Sequence, residues 1–282
     1  MSSVEVINSL SAMSAWSEAA RKRGERIAFV PTMGALHAGH LSLLSAAREH
    51  GDRLVLSIFV NPTQFGPNED LARYPRDLDG DLAKAGGVGT DIAFVPEAKD
   101  MYPPEAQTFV EVRQVSRGLC GERRPGHFVG VATVVCKLFG IVRPHAALFG
   151  EKDFQQLAVI RRMVADLSLP VEVVGRPTLR EQDGLAMSSR NAYLSTADRQ
   201  RALAIFQGLS AARERFLAGT RASASLAETA LAKMQGQMDS IDYVEIRDAD
   251  SLAPVKIVDR AAVILAAAHV GATRLIDNLR LG

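Results

Sequence analysis

Arg26-Ile27-Ala28-Phe29-Val30-Pro31-Thr32-Met33-Gly34-Ala35-Leu36-His37-Ala38-Gly39-His40 is the stretch from which the architecture can be read. Residues 26–30 are an apolar run that stops at Pro31, the pattern of a strand buried on both faces. Residues 41–48 follow with helical apolar spacing, so strand, turn and helix succeed one another as in half of a βαβ unit. A second apolar strand, 53–60, is broken by Asn61-Pro62. Strands this apolar need cover on both faces, which helices on each side of a parallel sheet supply.

Working outward, the sequence predicts a helix over 77–85, a strand over 92–95 and a short edge strand over 108–112. A helix over 128–138, a strand over 146–149, a helix over 154–167 and a strand over 171–174 continue the alternation. Such a rhythm across the first 175 or so residues predicts an α/β fold, a Rossmann-like doubly wound parallel sheet. After Asn191 the rhythm changes. Ser195 offers a cap to a helix, a second helix is expected over 223–238, and residues 241–246 alternate like a half-buried strand. Two more strands are expected at 262–265 and 275–278, with Gly271 between them. This predicts a smaller C-terminal α+β domain, so the chain divides into domains 1–178 and 179–282.

The 282 residues carry 33 Lys and Arg against 32 Asp and Glu, so no global field draws the chain to nucleic acid or anionic lipid. The apolar run 261–270 is too short to cross a bilayer and contains His269. Met1-Ser2-Ser3-Val4-Glu5 lacks the basic segment and apolar core of a leader, which predicts a cytoplasmic protein. Cys120 and Cys136 are expected to be reduced.

Four polar clusters stand at or near expected strand ends, where open α/β sheets bind ligands. In the first, His37 and His40 are three apart. If a helix begins near Ala38, both rings share the mouth with its unpaired N–H groups, and Gly39 leaves room for a phosphate. Paired histidines also bind zinc, although no third ligand lies at motif distance, and histidines at a helix start also serve structure alone. The second cluster is Asn61-Pro62-Thr63-Gln64-Phe65, whose amides suit an organic ligand with hydroxyl and carboxylate oxygens. In the third, Phe149-Gly150-Glu151-Lys152-Asp153-Phe154-Gln155-Gln156, Lys152 offers a charge for phosphate and Asp153 could orient it or help hold Mg-ATP. Met187-Ser188-Ser189-Arg190-Asn191, at the domain junction, brings two hydroxyls and a guanidinium that can grip phosphate oxygens. Each cluster alone also reads as an ordinary loop or a surface ion pair.

Together, residues 31–40, 59–65, 124–131, 149–156, 183–191 and 242–245 resemble the signatures, in order, of the pantoate–β-alanine ligase (pantothenate synthetase) family of the nucleotidyltransferase superfamily. The resemblance implies an ATP-dependent ligase that condenses pantoate with β-alanine through a pantoyl adenylate, releasing AMP and pyrophosphate. It implies catalytic roles for His37, His40, Lys152 and Arg190. ATP is expected on those residues and on Pro31, Met33, Gly39, Gly150, Asp153, Leu179, Met187, Ser188 and Ser189. Pantoate is expected on Met33, Asn61, Gln64 and Gln156, with Arg124 assisting the second substrate and the C-terminal domain acting as a lid. No metal ligand is firmly implied; Asp153 is the candidate, through Mg2+ carried by ATP. The resemblance also implies a homodimer, with no nucleic-acid or membrane partner. Phe154 stands where many members have Tyr, losing a hydroxyl but keeping the ring. A nucleotidyltransferase that stops after attaching the nucleotide and a noncatalytic nucleotide-binding protein are the alternatives, separated from the ligase by whether AMP forms with both substrates.

Overall fold

The computed structural model describes residues 4–67 and 69–282; residues 1–3, part of the opening read above for its lack of a leader, lie outside the described residues. Along the chain come β1 (Glu5–Ile7), α1 (Leu10–Lys22), β2 (Ile27–Thr32), α2 (Ala38–Ala47), β3 (Arg53–Ile58), α3 (Leu78–Gly87) and β4 (Ile92–Phe94). Next are α4 (Ala98–Met101), α5 (Leu119–Arg123), α6 (His127–Val142), β5 (Ala146–Gly150), α7 (Phe154–Asp166) and β6 (Glu172–Arg176). The last elements are α8 (Thr196–Leu217), α9 (Ser223–Met234), β7 (Ser240–Asp248), β8 (Ala262–Val270) and β9 (Thr273–Leu281).

Two compact units result: Met1–Arg113 with Arg124–Glu151 and Val159–Pro177, and Gln114–Arg123 with Lys152–Ala158 and Thr178–Gly282. Segments 114–123 and 152–158, which a linear division at 178 gives to the N-terminal part, therefore pack with the C-terminal one.

The first unit is the Rossmann-like part, a six-stranded sheet in the order β1-β4-β3-β2-β5-β6 with every pairing parallel. From β2 the chain adds β3 and then β4 on one side, and later β5 and β6 on the other, so the strand order reverses between β2 and β5. That reversal opens a crevice at the carboxyl ends of those two strands. Ile27, Ala28, Phe29 and Val30 of β2 and Ala146, Ala147 and Leu148 of β5 are wholly buried, as strands covered on both faces must be.

The second unit holds the antiparallel sheet β7-β8-β9. Its core joins Ala202, Ile205, Leu209 and Ala212 of α8 and Leu226, Ala230 and Met234 of α9 to Ile264, Ala266 and Ala268 of β8. Ser195 caps α8 as anticipated, its hydroxyl accepting from the Asp198 N–H at 3.1 Å.

Some sequence expectations are corrected. Residues 108–112 form no strand: the Val110 N–H donates to Thr133 Oγ1 at 2.9 Å instead of to a ladder, and Phe109 is 61% exposed. The helix expected over 223–238 stops at Met234, two residues before Gly236 turns the backbone to φ 76°. β8 and β9 run nine residues each, longer than the strands expected at 262–265 and 275–278, because the antiparallel ladder pairs them without a break from Ala262 with Leu281 to Val270 with Thr273; β8 fills most of the apolar run 261–270. The sequence reading passed over β1 and α1. Three residues are too few for a period, and α1 buries Ser17 with Met13 and Ala20, which blurs its apolar stripe.

One close approach fixes the carboxyl side of the sheet. A Cβ on Gly130, in the first turns of α6, would fall on the carbonyl oxygen of Thr63, so only glycine lets α6 come this near to the 62–64 turn. Alanine in mid-helix normally gains about 1 kcal/mol over glycine. Here overlap with a backbone atom outweighs that gain, and Gly130→Ala is expected to lose about 1–3 kcal/mol of stability in denaturant unfolding. A more stable variant would contradict the packing.

Candidate active site

Between β2 and α2 the chain runs without ladder or helix partners, and its N–H groups must find acceptors elsewhere. Four side chains supply them, the first being Thr32, whose hydroxyl accepts from the Gly34 N–H at 3.2 Å. Asp81 on α3, 1% exposed, accepts from the N–H groups of Ala35 at 2.8 Å and Leu36 at 2.6 Å. His37, the N-cap of α2, accepts at Nδ1 from the Gly39 N–H at 3.1 Å. His40 reaches back so that its Nδ1 accepts from the His37 N–H at 3.3 Å. The result is a capping box made of two imidazoles, their ring centroids 4.1 Å apart.

This wiring settles the chemistry of the rings. A nitrogen that accepts from a backbone N–H carries no proton of its own, so each neutral ring has its proton on Nε2. Both Nε2–H groups are then donors, set at a helix N-terminus whose N–H groups and dipole favour anions.

Asp81 was missed by sequence reasoning, which saw only an acidic residue inside a helix. Its role depends on a contact 45 residues away in sequence, with Leu36, and no local pattern signals that. The loop it holds is unusual, with Gly34 at φ 82° and Ala35 at φ 51°. A Cβ on Gly34 would lie 3.0 Å from Asp81 Oδ2 and 3.1 Å from Ile58 Cγ2. Pro31 and Thr32 end β2, and the Thr32 hydroxyl ties the turn to β3 by donating to the Ser57 carbonyl at 2.8 Å.

Asn61 and Gln64 stand where β3 gives way to a short 3-10 turn. Asn61, 1% exposed, is engaged within the protein: its Oδ1 accepts from the Thr63 hydroxyl at 2.9 Å, and its Nδ2 donates to the Gly130 carbonyl at 3.2 Å. Gln64 is the converse. Although it is 9% exposed, only its backbone is bonded, and its carboxamide has no hydrogen-bond partner among the described residues. The Gln64 carbonyl accepts from Arg124 at 3.2 Å and from His127 Nδ1 at 2.9 Å.

Arg124 itself forms a two-pronged pair with Glu69, at 2.8 and 2.6 Å. Burial pushes the Glu69 carboxyl up, but the Arg124 hydrogen bonds and charge outweigh it and hold the group below its ordinary range.

In the second unit, Lys152 and Asp153 form the turn that opens α7, with Lys152 Nζ 3.9 Å from the Asp153 carboxylate. Gln155 and Gln156 differ sharply in their surroundings. Gln155 is 4% exposed and committed, accepting from the Cys120 N–H at 3.0 Å and donating to the carbonyls of Val115, Arg117 and Gly118. Gln156 is half-buried, and its carboxamide has no hydrogen-bond partner among the described residues.

Residues 179–187 fold back on themselves. The Glu181 N–H donates to the Leu185 carbonyl at 2.8 Å and the Met187 N–H to the Leu179 carbonyl at 3.0 Å. Ser188 then caps the turn Ser189–Tyr193 by accepting from the Arg190 N–H at 3.3 Å. A small pocket within this unit is lined by Lys152, Ser188, Asn191, Phe206, Leu275 and Asp277, among others. The structure thus gathers Pro31, Met33, Gly39, both histidines, Asn61, Gln64, Arg124 and Gly150 in one unit. Lys152, Asp153, Gln156, Leu179, Met187, Ser188, Ser189 and Arg190 lie in the other.

Comparisons with known proteins bear on this geometry. The family model described as pantoate-beta-alanine ligase matches residues 5–280. The chain belongs to the pantoate-beta-alanine ligase family. The pantothenate synthetase of Geobacter sulfurreducens is 53% identical over 282 residues, covering 99% of each chain. Among solved structures, pantothenate synthetase from Thermus thermophilus superposes with a TM-score of 0.92 at 43% identity, over 98% of this chain and 99% of that one. The ligase from Francisella tularensis, crystallised with beta-gamma ATP and beta-alanine, gives 0.80 at 32% identity, covering 98% of this chain and 97% of that one.

Two outcomes test the geometry. Asp81→Ala removes the carboxylate that accepts from the Ala35 and Leu36 N–H groups, and the distorted loop should lower kcat on the order of a hundredfold, since displacement of about 1 Å costs that much. Unchanged turnover would show that the loop holds itself. For Glu69, the depressed folded pKa means that its stabilisation is present above the unfolded carboxyl pKa and is lost as pH falls through the folded value. Glu69→Gln should therefore be less stable than the parent at neutral pH, with the gap closing below the ordinary pKa of about 4.3 when thermal unfolding is followed against pH.

Proposed function

We propose that this ATP-dependent pantoate–β-alanine ligase uses the Nε2–H groups of His37 and His40, with Lys152 and Arg190, to carry ATP through adenylyl transfer to pantoate. The reading rests on the wiring of the two imidazoles at the start of α2, whose Nδ1 atoms accept backbone N–H groups and so place the proton of each neutral ring on Nε2.

In the first step a pantoate carboxylate oxygen attacks the α-phosphorus. A new P–O bond forms, the bond to the β-phosphate oxygen breaks, and pyrophosphate leaves. The amine of β-alanine then attacks the acyl carbon. A C–N bond forms, the acyl C–O bond breaks, AMP departs, and the amine gives up a proton. No protein nucleophile takes part, so the protein acts by position and by charge placed where the phosphorus becomes crowded.

Ser188 and Ser189 assist Lys152 and Arg190 on phosphate oxygens, and Pro31, Met33, Gly39, Gly150, Leu179 and Met187 line the nucleotide. Gln64 and Gln156, whose carboxamides the protein leaves unpartnered, hold pantoate beside Met33. Asn61 contributes by fixing the Gln64 turn. Arg124 supports the second step through its bond to the Gln64 carbonyl.

Mg2+ enters on the triphosphate. The described residues hold no cluster of three or more His, Cys, Asp or Glu, and a lone exposed Asp153 fits a metal that keeps its waters and binds mainly through substrate phosphates. There it would neutralise phosphate charge. No helix among the described residues is long and apolar enough to cross a membrane. A cytoplasmic homodimer completes the proposal.

Release of AMP, measured with ATP, pantoate or β-alanine omitted in turn, is expected only when all three are present. His40→Ala and Lys152→Ala should keep the native circular dichroism spectrum while losing pantoate-dependent pyrophosphate exchange by about two to three orders of magnitude, the cost of one oxyanion donor. Full exchange in either variant would remove that residue from the mechanism.

A further inference from the structure

Arg180 and Asp277 are paired across 97 residues of sequence, within the second unit. The guanidinium donates to both Asp277 oxygens, at 2.6 and 2.9 Å, and its face lies 4.0 Å from the Phe206 ring centroid. With the remaining capacity it donates to the Gly184 carbonyl at 3.1 Å and to the Asn278 carbonyl at 3.3 Å. Asp277 is 5% exposed and Asn278 6%. A carboxylate so enclosed is costly without a partner, and the guanidinium fork satisfies it in one fixed geometry.

The consequence lies at the two ends of this network. Arg180 and Gly184 belong to the folded-back segment 179–187, which leads directly into Ser188, Ser189 and Arg190. At the other end, Asn278 Nδ2 donates to the Lys152 carbonyl at 2.9 Å. Asn278 is itself oriented by its own N–H, which donates to Asp277 Oδ1 at 2.8 Å. One chain of contacts therefore runs from the segment carrying the two serines and Arg190, through Arg180, Asp277 and Asn278, to the backbone of Lys152. Lys152 and Ser188 line the same small pocket, and Asp277 lines it too.

We propose that Arg180, Asp277 and Asn278 are positioning residues that hold Lys152 in register with residues 188–190, so that the phosphate-gripping groups are aligned before ATP arrives. None of the three needs to touch substrate. The inference rests on the phosphate role assigned above to Lys152, and it adds how that role is enforced. Alignment fixed in advance matters because long cationic side chains otherwise lose rotamer freedom on binding, and because displacement of a reacting group is expensive.

A double-mutant cycle tests it, with kcat/KM for ATP in pantoate-dependent pyrophosphate exchange as the readout and a melting curve for each variant. Asn278→Ala in the parent enzyme is expected to lose about tenfold to a hundredfold. In the Lys152→Ala background the same substitution should cost less than about twofold, since a residue acting through another has nothing left to position. Arg180→Lys, which keeps the charge but not the two-pronged geometry, should show the same dependence on Lys152. Losses that multiply independently of Lys152 would overturn the proposal and leave only general destabilisation. Full exchange in Lys152→Ala alone would instead overturn the underlying role of Lys152, and the proposal with it. Should Asn278→Ala fail to fold, Asn278→Asp, which keeps the side-chain size but removes the donor, takes its place in the cycle.

Discussion

The reversal from β2 into α2 must pair N–H groups that neither a sheet nor a helix can reach, and the rest of the candidate site depends on how it does so. The Thr32 hydroxyl takes one of them, Asp81 takes two, and the ring nitrogens of His37 and His40 take two more. Water could have satisfied an exposed turn, but Leu36 is 3% exposed and Gly34 is buried, so acceptors had to come from the protein. The acceptors used are also the groups that determine the chemistry. By consuming Nδ1 of each ring, the backbone leaves the proton of each neutral ring on Nε2 and removes the ambiguity of tautomer that an unanchored histidine would carry. Structure and chemistry are here a single arrangement, because the same bonds that close the turn prepare the donors.

How much of this was legible in the sequence depends on the range over which each feature is determined. β2, α2 and β3 could be read because burial on both faces leaves an uninterrupted apolar run and a helix leaves a period, both local signals. The start of α2 at Ala38 and the cap at Ser195 were legible for the same reason. The supposed strand at 108–112 shows the limit. Its alternation is real, but a strand also requires a neighbour with open hydrogen-bonding groups, and the hydroxyl of Thr133 claims the N–H of Val110. Nor could the sequence show that residues 114–123 and 152–158 pack with the C-terminal half. Such an affiliation is made by contacts such as those of Gln155 with the carbonyls of 115–118, which no periodicity encodes.

Among the polar residues of the site, chemical type was legible and commitment was not. Asn61, Gln64, Gln155 and Gln156 offer the same carboxamide. Adjacent positions on α7 point about 100° apart, since 3.6 residues make a turn, and so Gln155 enters the 114–120 loop while Gln156 does not. Asn61 spends its amide on Thr63 and Gly130, and in doing so sets the turn from which Gln64 projects. The sequence placed all four in polar clusters at strand ends. Only the fold divides them into residues that build and residues left with capacity to bind.

That division argues for a site organised in advance. The carboxamides of Gln64 and Gln156 are not among the described side-chain groups enclosed away from water without a partner, so leaving them unbonded within the protein costs the fold little. In each unit the charged residues next to candidate positions are saturated. Asp81 has two backbone donors, Asp277 receives both prongs of Arg180, and Glu69 receives both prongs of Arg124. Ion pairs so enclosed add little net stability against well-packed apolar residues of similar size, because desolvation offsets most of their attraction. What they supply is a fixed angle, which an apolar contact cannot impose. The arrangement that results places rigidity in the charged pairs of each unit, while the carboxamides of Gln64 in the first unit and Gln156 in the second have no hydrogen-bond partner among the described residues.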